Sequence, residues 1–279
     1  MGSAIAVGGF CLELFTIAMP SKERLDKLLV DRGLCPSRQL AQRWIRAGEV
    51  KVKGQVCDKP GTAIAVDLDI AVKARSPYVS RGGEKLAAAL EQFNLNLRDR
   101  ICIDGGISTG GFTDCLLQAG AKKVYGIDVG YGQVAWKLRQ DDRVVLKERT
   151  NLRYLEPEQL YHPGDPIPDF GVADVSFISL AKVLPALWRL MESPREVVLL
   201  VKPQFEVGRD RVGKKGVVRD KRDREAAIVA VWEAAKALGW RFGNVTRSPI
   251  TGPAGNVEYL LWLGTGDGFD VNFSVSSLL

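Results

Sequence analysis

The chain has 279 residues, 46% of them hydrophobic and 26% charged, a composition typical of a globular protein with one large domain or two smaller ones. Its single histidine, His162, lies in a proline-rich loop sequence and leaves no His-rich metal site, and five cysteines without a C-x-x-C pair argue against a zinc ribbon or disulfide framework. The net charge is +6, and residues 21–85 alone carry 14 Lys+Arg against 8 Asp+Glu, which indicates a basic module, facing nucleic acid, attached to a nearly neutral larger domain.

The first 20 residues form an apolar extension that ends in Met19-Pro20. The stretch contains Glu13 and is too short to span a membrane, and it lacks the basic start of a signal peptide. We expect residues 1–20 to be disordered or non-native, with Met19 as the natural start. Because no other run reaches 18 apolar residues, we expect no membrane partner, and the unpaired cysteines fit a reducing cytoplasm.

A small α/β module is predicted over residues 21–76. A helix over 22–32 ends at Gly33, and a second helix starts at Ser37 as its N-cap. The second helix buries one face and turns arginines outward. VKVKGQ and the alternating AVDLDIAV predict short strands on either side of a Lys59-Pro60-Gly61 turn.

From residue 77 to 279 the pattern predicts a single α/β domain of alternating strands and helices. Apolar strands are predicted at residues 101–104, 124–129, 144–147, 170–174, 196–202, 241–246 and 257–263. Helices are predicted near residues 111–119, 178–191 and 222–238. Buried strands separated by helices indicate a mostly parallel, Rossmann-like sheet covered on both faces. Because only a turn separates the last two strands, we expect them to pair antiparallel at one edge.

A glycine-rich loop, DGGISTGGFTD, runs from Asp104 to Asp114 after the first strand of this sheet. Its glycines allow close approach to a ligand, and Asp128, 24 residues after Asp104, can accept both hydroxyls of an adenosine ribose. A nicotinamide dinucleotide and S-adenosylmethionine both fit this pattern. The G-x-G-x-x-G fingerprint is absent, and an acid at the strand tip suits the ammonium of S-adenosylmethionine better than a pyrophosphate. We therefore favour S-adenosylmethionine.

The ends of the fourth and fifth strands indicate the methyl acceptor. No Asn/Asp-Pro-Pro-Tyr pattern follows the fourth strand, and no cysteine occurs after Cys115, which disfavours both common routes to base methylation. What remains are Lys85, Asp174, Lys202 and Glu258. A ribose 2′-hydroxyl needs only a positioned base and in-line geometry, and a lysine beside a second lysine can supply the base.

Three of these residues also have ordinary structural explanations. Lys85 fits a helix surface, Asp174 a helix N-cap, and Glu258 one half of an edge-strand ion pair. Lys202 is harder to explain in this way, because the buried run VVLLV leads directly into its charge.

Motifs along most of the chain carry a family resemblance. The run RLDKLLVDRGLCPSRQLAQRWIRAGEVKVKGQVCDKPGT resembles the small RNA-binding module named for a ribosomal small-subunit protein. YVSRGGEKLAAAL, DGGISTGGFTD, GIDVGYGQ, DVSFISL, LVKPQFEVGR and GVVRD are together similar to the TlyA (hemolysin A-like) family of FtsJ-type 2′-O-ribose rRNA methyltransferases. The likeness covers about residues 20–263, and the departures are the first 18 residues and the tail after Gly264.

The resemblance implies roles for particular residues. It implies a catalytic Lys-Asp-Lys-Glu tetrad at Lys85, Asp174, Lys202 and Glu258, and cytidine 2′-hydroxyl in ribosomal RNA as the acceptor. The expected S-adenosylmethionine contacts are Asp104, Gly106, Ser108, Thr109, Gly110, Gly111, Phe112, Asp128 and, near the adenine, Asn151. Expected RNA contacts are Arg24, Arg38, Arg43, Arg46, Lys51, Lys53, Arg209, Lys214 and Lys215. The last three belong to residues 209–224, which hold eight Lys+Arg against three acids.

Several alternatives stay open on the sequence alone. One is a nicotinamide-dependent oxidoreductase, and another is a hemolysin-like or purely RNA-binding protein without methyltransferase activity. The acceptor can also be a structured RNA other than ribosomal RNA. The expected partners are ribosomal RNA or ribosomal subunits, and no protein partner and no metal are inferred.

Overall fold

The structure, a computed structural model, describes residues 21–73 and 76–270. The prediction that residues 1–20 are disordered or non-native concerns residues outside these described ranges. The chain divides into two compact units, the first ending at residue 75 and the second beginning at Ser76.

The first unit packs two helices against short antiparallel strands. Its helices are α1 (Leu25–Asp31) and α2 (Arg38–Arg46). Its strands are β1 (Lys22–Arg24), β2 (Val50–Val52), β3 (Gln55–Val56), β4 (Ala63–Ala65) and β5 (Ile70–Val72). Ser37 caps α2 as predicted, with its Oγ accepting a hydrogen bond from the Leu40 N–H at 3.3 Å. Leu25, Leu29 and Ile45 are fully buried between the helices and the strands.

Three predicted elements of this unit are wrong in their bounds. The helix predicted from residue 22 begins at Leu25, because residues 22–24 form β1 and pair antiparallel with β4. VKVKGQ is a hairpin of β2 and β3, turning at Lys53 and Gly54, whose φ angles of 50° and 79° define a two-residue turn. AVDLDIAV contains the end of β4, a turn over 66–69, and β5.

The second unit is built on a seven-stranded sheet. Its strands are β6 (Ile101–Gly105), β7 (Lys123–Ile127), β8 (Val144–Lys147), β9 (Phe170–Ala173), β10 (Glu196–Val201), β11 (Arg241–Arg247) and β12 (Tyr259–Gly264). Their spatial order is β11-β12-β10-β9-β6-β7-β8, parallel from β10 to β8. β12 runs antiparallel to both of its neighbours, so the predicted sheet with an antiparallel last strand is confirmed.

Helices cover both faces of this sheet. They are α3 (Gly82–Gln92), α4 (Gly111–Gln118), α5 (Trp136–Arg139), α6 (Pro157–Leu160), α7 (Leu184–Leu190), α8 (Pro203–Glu206) and α9 (Lys221–Lys236). Adjacent strand residues alternate between the faces: Cys102 packs in the core with α3 and α4, and Ile103 in the core with α7 and α9. The carboxyl ends of β6 to β10 meet at one edge of the sheet, called the carboxyl edge below.

The sequence missed or misplaced some helices of this unit. It did not predict α3, which carries Lys85, and it predicted one helix over 178–191 where a short 3₁₀ turn at Leu180–Lys182 precedes α7. Ser179 caps that turn, accepting from the Ala181 N–H at 3.2 Å. Pro185, which lacks an N–H donor, lies in the first turn of α7, so the two segments are separate helices.

Candidate active site

The glycine-rich loop between β6 and α4 lies at the carboxyl edge, where the chain reverses its direction across the sheet. Gly106 has a φ of +88°, and a Cβ built on it would lie 2.5 Å from the carbonyl oxygen of Asp174. A side chain at this position would therefore be strained and would also push the loop after β9 away. Glycine at 106 keeps that neighbouring loop close to the cleft.

Two cavities flank this loop. One has a volume of about 300 Å³ and is lined by Ser108, Asp128 and Asn151 among others. The second, of about 230 Å³, is lined by Lys85 and by the start of α4. Gly106, Ser108 and Asp174 belong to both walls, so the two cavities form one cleft around the loop.

Asp128 follows β7 directly and faces this cleft. Its Oδ2 accepts from the Ser108 N–H at 2.8 Å, and its Oδ1 accepts from the Gly130 N–H at 2.7 Å. Each carboxylate oxygen has a further lone pair, so Asp128 can hold the loop and still accept ribose hydroxyls. On the same wall, Asn151 uses its Oδ1 to accept from the Arg153 N–H at 3.1 Å.

Asp104 does not line either cavity. It is fully buried, and its Oδ2 accepts from the Thr113 hydroxyl at 2.7 Å, whereas Oδ1 is buried without a hydrogen-bond partner among the described residues. Burial raises the pKa of Asp104 to about 7. Asp104 therefore lies behind the loop, and its contact with a cofactor ammonium stays a prediction. Gly110 also lines neither cavity. A Cβ built on it would overlap the side chain of Leu138.

The four residues predicted to form a tetrad make two lysine–carboxylate pairs at the carboxyl edge. Lys85 Nζ on α3 lies 2.5 Å from Glu258 Oε2, just before β12, and their side chains are 10% and 1% exposed. Lys202 Nζ, after β10, lies 2.5 Å from Asp174 Oδ1, after β9. Lys202 also donates to Ser176 Oγ at 2.9 Å. All four are thus brought to one edge by four different elements.

A third cavity, of about 400 Å³, adjoins the cleft beside these pairs, because Ser176 and Phe177 line both it and the first cavity and Pro253 lines both it and the second. Lys202 and Glu258 line it, whereas Lys85 and Asp174 line the cleft around the glycine-rich loop. Phe177 borders this cavity, is 92% exposed and has a φ of +65°, which is unusual for a non-glycine residue. Its ring lies 5.3 Å from that of Phe205. Sequence reasoning did not select these two aromatic residues, although both lie in the family-like motifs.

Glu206 links the segments after β9 and after β10, both of which line this third cavity. Its Oε2 accepts from the Ser179 hydroxyl at 2.6 Å and its Oε1 from the Leu180 N–H at 2.9 Å. Burial raises the pKa of this carboxyl, and the two hydrogen bonds oppose that shift. The segment after β10 is therefore fastened to the segment after β9, which aligns Lys202 with Asp174.

The basic segment 209–224 is held near the same cavity by Asn256. This buried amide accepts from the Val218 N–H at 2.9 Å and donates to the Gly216 carbonyl at 2.7 Å. Arg209, Lys214 and Lys215 are exposed, so they are available to a large ligand. The amide role of Asn256 was not predicted, because it depends on contacts far apart in sequence.

In the first unit the predicted RNA contacts divide into two groups. Arg24 and Arg38 both donate at 3.0 Å to the buried carboxylate of Asp26, whose pKa is held well below its usual range, first by Arg24. Their side chains remain about half exposed, so the carboxylate fixes them at the surface. The other four are exposed: Arg43, Arg46, Lys51 and Lys53.

Other residues around the cleft were missed. Thr150 and Gln133 line the first cavity, and Ser80 and Arg81 line the second. Ser80 and Arg81 belong to the motif YVSRGGEKLAAAL, so this motif was the sequence signal that could have identified them. Within residues 21–73 and 76–270 no cluster of ligating side chains suits a metal, and no helix there is long and apolar enough to cross a membrane.

Comparison with known proteins adds family information. The FtsJ-like methyltransferase model matches residues 78–265, and the S4 domain model matches residues 23–70. The 16S/23S rRNA (cytidine-2′-O)-methyltransferase TlyA of Mycobacterium tuberculosis is 49% identical over 249 residues, which is 88% of this chain and 91% of that protein. Hemolysin A of Brachyspira hyodysenteriae is 42% identical over 85% of this chain and 98% of its own length. A solved structure of a hemolysin candidate from Streptococcus thermophilus has a TM-score of 0.70 at 44% identity, over 92% of this chain and 94% of that one.

Proposed function

This chain belongs to the FtsJ-like methyltransferase family and carries an S4 domain, and from that premise we propose that it methylates a ribose 2′-hydroxyl, that of a cytidine, in ribosomal RNA. The methyl donor is S-adenosylmethionine. The close relatives named as rRNA (cytidine-2′-O)-methyltransferases support this choice of acceptor. The dinucleotide alternative has no comparable support.

One observation carries the proposal most strongly. Two lysine–carboxylate pairs lie where the cleft around the glycine-rich loop meets the third cavity, of about 400 Å³: Lys85 and Asp174 line the cleft, and Lys202 and Glu258 line the third cavity. A transfer reaction needs a donor on one side of such a junction and an acceptor on the other, with the reacting atoms in line. We therefore assign the cleft to the donor and the third cavity to the acceptor nucleoside.

The cleft suits the donor on three grounds. Gly106 lets the loop and the Asp174 backbone approach each other at the cleft that both line, Asp128 offers acceptor lone pairs for ribose hydroxyls, and Asn151 lines the same cavity as Asp128, where we place the adenine. Bound S-adenosylmethionine supplies an electrophilic methyl group on a sulfonium, which is a good leaving group. Asp104 acts from behind the loop, through Thr113 at the start of α4.

Lys202 is the residue that we assign to the acceptor hydroxyl. An ammonium has three N–H donors, and Lys202 directs one to Ser176 and pairs with Asp174, which leaves a donor for the 2′-oxygen. As a neutral amine, the same nitrogen can take the hydroxyl proton, with Asp174 stabilising the resulting ammonium. Lys85 and Glu258 hold the opposite side of the site.

The remaining assignments follow from charge. We assign residues 21–76 to docking on folded ribosomal RNA, through basic side chains such as Arg43 and Lys51, and residues 77–279 to methyl transfer. The exposed cations of segment 209–224 then contact the RNA backbone beside the acceptor cavity. A ribosomal substrate places the enzyme in the cytoplasm.

The test uses ribosomal subunits from a strain that lacks the gene, incubated with the purified protein and tritium-labelled S-adenosylmethionine. Nucleoside analysis is expected to recover the label in 2′-O-methylcytidine, and label on a base contradicts the proposal. Lys202→Ala is expected to lower the rate about 10²- to 10⁴-fold while S-adenosylmethionine still binds. Unchanged transfer by this variant would remove the assigned role.

A second variant separates the two roles of Lys202. Lys202→Arg keeps a charged donor that cannot be deprotonated, so it retains transfer if the side chain only orients the hydroxyl and loses it if the side chain is the base. Membrane lysis without any methyl transfer by the wild-type protein would support the hemolysin-like alternative instead.

A further inference from the structure

A group of aromatic and basic residues lies at the carboxyl edge outside the proposed site. It comprises Tyr131, Lys147, Arg149, Arg153 and Tyr154, and we call it the cation–aromatic face. The two tyrosines follow β7 and β8 in sequence and are 65% and 64% exposed. A hollow of about 460 Å³ is lined by three of these residues, Lys147, Arg149 and Tyr154.

Each tyrosine is held by an arginine. The Arg149 guanidinium carbon lies 4.1 Å from the centroid of the Tyr131 ring, and that of Arg153 lies 5.1 Å from the Tyr154 ring. Such cation–π contacts orient the rings, yet nearly two thirds of each tyrosine stays exposed to solvent. Oriented, exposed rings of this kind offer a flat surface on which another planar group can stack.

The cations of the face are only weakly compensated by neighbouring acids. Glu148, the acid between Lys147 and Arg149, accepts from Arg139 and from the Gly132 N–H, and it attracts Arg149 without forming a salt bridge with it. In the described part of the chain, neither Arg149 nor Arg153 forms a salt bridge with a carboxylate. The face therefore presents three positive charges beside two exposed rings, a combination that suits a polyanion with planar bases.

The position of the face fits the proposed reaction. Thr150 and Asn151 line both the hollow and the donor cavity, so the face lies directly beside the donor end of the site. A large RNA whose nucleotide reaches the acceptor cavity extends across this edge. The charge excess favours RNA over a protein surface, which would need acidic partners for all three cations.

We propose that the cation–aromatic face binds a second, unpaired segment of the substrate RNA, by stacking of bases on Tyr131 and Tyr154 and by phosphate contacts to Lys147, Arg149 and Arg153. This inference rests on the proposed RNA-methylating function, but it assigns a surface outside the donor and acceptor cavities. The bound segment is not the nucleotide that receives the methyl group.

The test compares the double variant Arg149→Gln/Arg153→Gln with a matched double variant, Lys122→Gln/Arg143→Gln. The matched positions precede β7 and β8 and are exposed, so they remove the same charge from the opposite edge of the sheet. Fluorescence anisotropy with a labelled single-stranded oligoribonucleotide measures RNA binding without requiring methyl transfer. Steady-state transfer to ribosomal subunits gives kcat and KM.

For the face variant we expect RNA binding at least about tenfold weaker than for the matched variant, and a slope of log affinity against log salt that is smaller by roughly one to two. The KM for subunits rises similarly, kcat stays within about twofold, and S-adenosylmethionine affinity is unchanged. Tyr131→Leu/Tyr154→Leu keeps the charges but removes both stacking rings, so it weakens RNA binding by at least about 30-fold with an unchanged salt slope.

Equal RNA affinity and equal salt slope in the face and matched variants would overturn the inference. A face variant that binds the oligoribonucleotide normally but loses affinity for intact subunits would also overturn it, because a ribosomal protein would then be the occupant. Failure of the wild-type protein to methylate RNA, with tight binding of RNA at this face, would instead contradict the proposed function alone.

Discussion

Replacing Glu258 by Gln would leave Lys85 as a buried ammonium without its carboxylate. The two atoms are 2.5 Å apart and the side chains 10% and 1% exposed. At an effective dielectric constant of about 20, this separation corresponds to an attraction of about 7 kcal/mol, most of which offsets desolvation. Removing one partner of such a pair typically costs about 3–5 kcal/mol, and we expect Glu258→Gln to lie near the lower end, because Lys85 retains some access to water.

The complementary variant, Lys85→Met, leaves the less exposed Glu258 without its cation, so it should lose more stability near neutral pH. The double variant Lys85→Met/Glu258→Gln has neither buried charge, and its stability should return to within about 1 kcal/mol of the wild type. Urea unfolding of all four proteins gives the coupling energy of the pair. None of the variants should transfer methyl groups at the wild-type rate.

The pair of Lys123 and Asp165, whose atoms are 3.5 Å apart and whose side chains are 23% and 27% exposed, is the control. A double-mutant cycle of Lys123→Met and Asp165→Asn should give a coupling energy below about 1 kcal/mol, as is usual for ion pairs near the surface. Additive losses for Lys85 and Glu258, with no recovery in the double variant, would refute the reasoning that a buried pair holds the site together.

Two further predictions concern the glycine-rich loop. Gly106→Ala should weaken S-adenosylmethionine binding, measured by calorimetry, at least about tenfold, because its Cβ meets the Asp174 carbonyl oxygen; Gly132→Ala, with a φ of +75° and open space around it, controls for backbone strain. Since the native pKa of Asp104 is about 7 against an ordinary 3.8, its native state holds the proton more tightly and the protein loses stability as pH rises through that interval. Between about pH 5 and pH 8, the free energy of unfolding of Asp104→Asn should therefore rise by up to about 3 kcal/mol relative to that of the ligand-free wild type. An equal stability difference between the two proteins at about pH 5 and at about pH 8 would contradict this prediction.

Much of the sheet was predictable because its strands are continuous apolar runs with a charge at the tip. The run before Lys202 and the run before Asp174 each mark a strand end, and parallel strands bring such ends to one edge. The separation of the four tetrad residues into two pairs was not predictable. It depends on α3, which the sequence did not single out, and on β12 lying between β10 and β11.

Features that depend on long-range contacts also escaped sequence reasoning. Residues 22–24 have a helix-like pattern, but pairing with β4, some 40 positions later, makes them a strand. Asp104 was predicted at the cofactor because it lies at a strand tip, yet hydrogen bonding to Thr113 and full burial place it behind the loop. In both cases tertiary contacts override the local signal.

The place of β12 in the sheet has a consequence for how the enzyme is made. This strand is the last of the seven in sequence, and Glu258 directly before it meets a lysine that lies 173 positions earlier. During synthesis, β10 and β11 lack their common neighbour until residue 264 has left the ribosome, and an exposed strand edge persists for that time. The contact between Glu258 and Lys85, and with it the complete site for methyl transfer, therefore forms only when the final strand inserts.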